Sequence, residues 1–127
     1  MVIRRFEDID SWRQARQLTV SIYAASKDGP FRTDFGMRDQ IRRAAVSVMA
    51  NIAEGFGRKG NRKFSRYLTV AQASVVEVQS HLYVALDLGY VEQAKFDCLF
   101  QQARRVEDLI GGLIRYLDGS GTRTTNA

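Results

Sequence analysis

The sequence predicts an all-α protein, folded as an antiparallel up-down-up-down four-helix bundle. Three observations lead there. Apolar residues recur at helical spacing in four long stretches. Helix breakers gather at only a few points: Asp28-Gly29-Pro30, residues 55–60, Gly89 and Gly119-Ser120-Gly121. No stretch alternates strongly with period two, and no internal repeat is visible. At 127 residues, 45% hydrophobic and 26% charged, the chain suits one ordinary soluble core.

The first helix is expected over about Asp10–Ala25, with Asp10 or Ser11 as its N-cap. Its stripe is Trp12, Ala15, Leu18, Ile22 and Ala25. The second is expected over about Gly36–Glu54, with Gly55 in the left-handed position that ends a helix. Its stripe is Met37, Ile41, Ala44, Ala45, Val48 and Ile52. The third is expected over about Arg62–Leu88, capped by Asn61 and stopped by Gly89. Phe64, Tyr67, Leu68, Ala71, Val75, Val78, Leu82 and Ala85 form its stripe. The fourth is expected over about Gln93–Leu117, on Phe96, Leu99, Phe100, Ala103, Val106, Ile110, Leu113 and Leu117. Residues 1–118 then form the bundle domain, and 119–127 a flexible polar tail.

The second and third helices carry more apolar residues than one stripe needs. Val46, Ala50 and Ala53 are the extras on one; Val70, Ala73, Val84 and Leu88 on the other. A helix apolar on two faces is usually buried on two faces, which points to self-association. Scattered surface alanine and valine is the plainer reading.

Charge is unevenly placed. The chain holds 19 Lys+Arg against 14 Asp+Glu, a formal +5. Fifteen of those cations are arginine, which contacts phosphate in a planar, bidentate way. Residues 32–66 hold nine cations and three anions; the remainder is close to neutral. Arg38, Arg42 and Arg43 open the second helix. Arg58, Lys59, Arg62, Lys63 and Arg66 surround the glycine loop and the start of the third. These eight are the candidate phosphate contacts, in two patches roughly 25 Å apart along a straight helix; an ordinary solvated helix face is the plainer reading of the same charge. Cations in the first turn of a helix oppose its dipole. Such a local conflict suits an anionic partner; neutralisation by Glu54, Asp118 or another carboxylate in the folded bundle accounts for it equally well.

Several chemistries find no support. Residues 55–60, GFGRKG, fit G-x-G-x-x-G, but a helix rather than a strand precedes them, so a dinucleotide site is rejected. His81 is the single histidine and is read as structural or surface. Cys98 is the single cysteine and is read as a small core residue. Asn51 and Glu54 are expected to cap or bridge helices, and Phe56 to plug the bundle end. No E-x-x-H pair is present for a di-iron site. No catalytic residue, cofactor, metal or small-molecule substrate is expected. No segment reaches the ~18–20 apolar residues of a membrane span. The N-terminal residues lack the apolar run of a secretory signal, so a cytoplasmic protein is expected.

The segment FGMRDQIRRAAVSVMANIAEGFGR at residues 35–58 is highly characteristic, above all Asn51-Ile52-Ala53-Glu54-Gly55. It resembles the family of four-helix-bundle proteins encoded in intervening sequences of bacterial 23S rRNA genes. Phe6-Glu7-Asp8-Ile9 with Trp12 and Ala15, Ala71-Gln72-Ala73-Ser74 with Glu77, and Leu88-Gly89-Tyr90 fit the same family. The resemblance spans about residues 6–117. Ala73 departs from it, since the family often has glycine before that serine. The resemblance implies a ring-shaped homopentamer; most family members have no assigned activity, so it carries over no catalytic residue. It extends to the accessory variability proteins of diversity-generating retroelements, which are basic bundles that bind nucleic acid. The expectation is therefore a non-enzymatic basic bundle whose homo-oligomeric ring binds RNA or DNA through phosphate contacts. A scaffold for an acidic protein partner is the alternative.

Overall fold

The computed structural model describes residues 3–125, with side chains through residue 119. Among the described residues there are five α-helices and no strand. After a 3-10 turn at Phe6–Asp8 come α1 (Asp10–Ala25), α2 (Gly29–Thr33), α3 (Phe35–Phe56), α4 (Asn61–Asp87) and α5 (Gln93–Thr125). The four long helices pack as a square, α1 on α3, α3 on α4, α4 on α5 and α5 on α1. Short loops make sequential neighbours antiparallel, as expected.

The expected stripes form the core. Ala15, Leu18, Ile41, Ala45, Val48, Ile52, Leu68, Val75, Val78, Leu82, Val106 and Ile110 are completely or almost completely buried. Trp12, Ala25, Met37 and Phe100 pack against this core from its margin. Removing an apolar area this large from water is the main drive for the fold. Glycine 89 stops α4 in a left-handed conformation, φ 73°.

Five local expectations are corrected. The cap of α1 is Ile9, without a side-chain hydrogen bond; Asp10 and Ser11 lie inside the first turn. Gly55 does not end α3. It is a buried residue within the helix, and a methyl group there would fall 2.5 Å from Tyr67 Cβ. Glycine is needed because α3 and α4 cross closely, not because the chain turns. The cap of α4 is Gly60, at φ 90°, with Asn61 as the first helical residue. The break at residues 28–30 holds a helix of its own. Pro30 supplies the pre-set φ of a first helical turn, and Phe31 anchors α2 in the core. The α5 backbone continues past Leu117 to Thr125. Residues 126–127, at the end of the expected tail, lie outside the described residues.

Candidate nucleic-acid interface

The eight candidate cations separate into two groups at opposite ends of α3. At the first end Arg38 and Arg42 are tied into the scaffold. Arg42 donates from Nε to Ser26 Oγ at 2.8 Å, and from Nη2 to the Ser26 and Tyr23 carbonyls at 3.2 and 3.5 Å. Its guanidinium also covers the Tyr23 ring at 4.4 Å. These carbonyls lie at the C-terminal end of α1, where the helix dipole is negative and a cation is stabilised. Ser26 is wholly buried and donates onward to the Ile22 carbonyl at 2.7 Å, so Arg42 completes the C-terminal cap of α1. Arg38 pairs with Asp39 at 3.0 Å, donates to the Arg32 carbonyl at 3.1 Å and lies over Phe35. Arg43 stands exposed on the outer face of α3.

The same end carries a clasp that the residue pattern did not announce. Asp34 caps α3 by accepting from the Met37 N–H at 3.1 Å. Its other oxygen accepts from the Tyr90 hydroxyl at 2.7 Å, and Tyr90 stacks on Phe31. The Tyr90 hydrogen bond, with the Met37 N–H, holds the Asp34 carboxyl below its ordinary pKa; the Asp34 bond raises that of Tyr90. The clasp joins the α2–α3 corner to the α4–α5 turn.

The second end is built differently. After Gly57, a turn of exposed residues leads through Gly60 into α4. Arg58 lies over the Tyr67 ring at 5.5 Å and pairs with Glu54 at 3.2 Å. Glu54 and then Tyr67 raise its pKa, so it is charged throughout the physiological range. Arg58, Lys63, Arg66 and Tyr67 line a shallow concavity of about 200 Å3. Lys59 and Arg62 are exposed beside it. Among the described residues no ion pair involves Lys59, Arg62, Lys63 or Arg66. Asp118, one of the carboxylates that could have quenched them, instead accepts from Ser65 at 3.0 Å. No side chain caps α4, so its first-turn N–H groups add their own positive potential.

The remaining candidates are accounted for structurally. Asn51 donates back to Ser47 within α3, and Ser47 meets Ser74 across the α3–α4 contact at 3.0 Å. Phe56 meets Phe64 edge-on near the bundle end. Cys98 is exposed, which corrects its reading as a core residue: it falls on the solvent side of α5, between Asp97 and the buried Leu99. His81 Nε2 lies 3.4 Å from Glu77 without hydrogen-bond geometry. Among the described residues no cluster of His, Cys, Asp and Glu could hold a metal, and no helix is long and apolar enough to cross a membrane. Tyr67 is the member of the basic site that residue pattern alone missed. Its position in the apolar stripe marked it as core, and nothing local told that its ring face would support Arg58 across the turn.

The model of the 23S rRNA-intervening sequence protein family matches residues 7–112. The chain belongs to that family. Its fold is similar to that of a protein of unknown function from the S23 ribosomal protein family of Bacteroides thetaiotaomicron VPI-5482. The two share 19% identity and superpose with a TM-score of 0.76, covering 83% of this chain and 98% of that one. No curated protein matches the chain significantly. The family match and the structural likeness together fix the bundle, and neither carries an assigned activity.

Proposed function

We propose that this family member is a non-enzymatic bundle that binds RNA or DNA through phosphate contacts at the α3–α4 turn. The observation that carries the reading is the concavity of Arg58, Lys63 and Arg66 around Tyr67, with Lys59 and Arg62 unpaired at its edge. Four cations without carboxylate partners, at a helix N-terminus that repels them, are stabilised by an arriving phosphate. Arg43 adds a lone charge on the same helix pair. Arg38 and Arg42 are committed to the scaffold and contribute little. Arg58 lies over one face of the Tyr67 ring, and binding is driven by charge and shape.

The ring expected from the family resemblance fits the half-exposed apolar residues of α3 and α4. Val46 and Val70 are 42% and 50% exposed, with Ala50 and Ala73 exposed near them. Self-association through this face, in a homopentamer, repeats the basic turn around a collar and multiplies its affinity.

The test is a variant with Lys59, Arg62, Lys63 and Arg66 all changed to alanine, titrated with a mixed RNA pool across a salt series. Affinity should fall at least about 100-fold, and the slope of log K against log salt should flatten by about 3. The melting temperature should stay unchanged or rise, because like charges are removed. A folded variant that binds as the wild type does, or a wild type that binds an acidic protein but no nucleic acid, overturns the reading. Sedimentation of the wild type without RNA checks the ring separately.

A further inference from the structure

The basic turn borders a second hollow, and the two are chemically unlike. The second has a volume of about 280 Å3 and lies at the end of the bundle, between the α3–α4 turn and α5. Phe64, Leu113 and Leu117 line it and are buried, so they form its floor. Phe56 is half-buried and Tyr116 is exposed, so these two rings present surface at its mouth. Arg58 lines this hollow and the basic concavity as well. Phe64 and Tyr67, about one helical turn apart on α4, back the two hollows in turn. Gly60 keeps the rim low: it has no side chain, and the space that a Cβ would occupy is open.

Among the described residues no carboxylate lines either hollow. Glu54 accepts from Arg58 Nη2 at 3.2 Å, but a guanidinium has further donors to offer. An aromatic recess that shares its rim cation with an unpaired basic cluster suits one kind of ligand. That ligand carries a flat apolar ring with a negative charge beside it. An alkyl phosphate matches the charge but not the shape. Three aromatic rings, Phe56, Phe64 and Tyr116, stand around the recess. Its volume is close to the ~300 Å3 of the smallest ordinary ligand sites, which suits one ring system better than a long chain.

We infer that the α3–α4 turn captures an unpaired nucleotide of a single strand, its base in the recess against Phe56 and Tyr116 and its phosphate on Arg58 at the shared rim. The inference rests on the reading of the basic turn as a phosphate site, and adds to it a choice between nucleic acids. A base inside a duplex is stacked on its neighbours and shows only an edge, so it cannot enter. An unpaired base offers its face, and stacking on aromatic side chains tolerates any sequence. Charge alone predicts the opposite order, because a duplex releases more counterions per phosphate contact than a single strand does. A preference for the single strand therefore reports the recess and not the cations.

The intact chain is titrated at one salt concentration with three probes of equal length. They are a single strand unable to pair with itself, a duplex, and a single strand of abasic residues that keeps every phosphate. The intact single strand should bind about tenfold more tightly than either of the others. Phe56→Leu combined with Tyr116→Leu keeps the recess apolar and removes two rings. It should shrink the ratio of intact to abasic affinity from about tenfold to about twofold or less. Damage to the fold would lower both affinities and leave that ratio in place. Adenosine monophosphate should compete with the strand more effectively than octyl phosphate does. Equal binding of intact and abasic strands, a ratio that the double variant leaves unmoved, or better competition by octyl phosphate would overturn the inference while the phosphate reading stands. Failure of every strand to bind would instead overturn that reading, and this inference with it.

Discussion

The two ends of α3 carry the same residue type and use it in opposite ways. Near the start of the helix, Arg42 meets the carbonyl end of α1, and Arg38 meets Asp39 and the Arg32 carbonyl. Near its end, the cations meet the N–H end of α4. Carbonyl ends attract guanidinium groups and absorb them into the scaffold; N–H ends repel them and leave them for an outside anion. What an arginine does here is decided by the polarity of the neighbouring helix terminus, not by the density of charge along the chain.

The largest expected effect comes from disturbing the geometry of the α4 end. Gly55→Ala places a methyl group 2.5 Å from Tyr67 Cβ and forces α3 away from α4. It should cost about 1–3 kcal/mol by chemical denaturation. It should also weaken nucleic-acid binding, because Arg58 and Tyr67 would no longer share one concavity. A variant as stable as the wild type would show that the crossing is looser than described.

Arg42→Ala sharpens the contrast from the other side. It removes a charged donor from the α1 carbonyls and should cost about 1.5–2 kcal/mol in denaturation. Its RNA affinity, measured well below the transition, should stay within about twofold of wild type. A large loss of affinity with intact stability would place Arg42 at the interface and erase the distinction between the ends.

The smallest effect is on the pH profile. Asp34 is held below its ordinary value of 3.8, first by the Tyr90 hydroxyl and then by the Met37 N–H. A lowered folded-state pKa gives stability that is fully present above 3.8 and is lost as pH falls through the lower folded value. Tyr90 is raised above its ordinary 10.0, so its share is present below 10.0 and is lost as pH climbs past it. Tyr90→Phe should therefore melt lower than wild type between these limits, and the two curves should converge beyond each. A constant offset across the whole range would mean that the clasp acts through Tyr90 packing alone.

Much of the fold could be read in the residue pattern, and less of the site. The stripe from Phe64 to Ala85 forecast which face of α4 is buried, because side-chain direction repeats every turn wherever the helix lies. The eight cations were also found from sequence, since charge clustering needs no structure. Which of the two patches is bound into the scaffold and which is free was not visible. Arg42 and Ser26 are 16 residues apart, and Arg58 and Tyr67 are separated by a turn. Gly55 was misread for a related reason: a glycine late in a helical run looks like a helix end when the opposite wall is unknown. Ser11 looked like a cap and proved to be a buried hydroxyl, because the helix begins one turn position earlier than its polar residues suggest.

The sequence by itself determined the four long helices, their buried faces and the segment that holds the surplus of positive charge. Those properties depend on the period of the helix and on residue identity within a few turns. Tertiary structure decided which arginines are spent on capping and which surround Tyr67. These depend on which helix end lies within about 3 Å of a given side chain, a distance that only packing of remote segments can set.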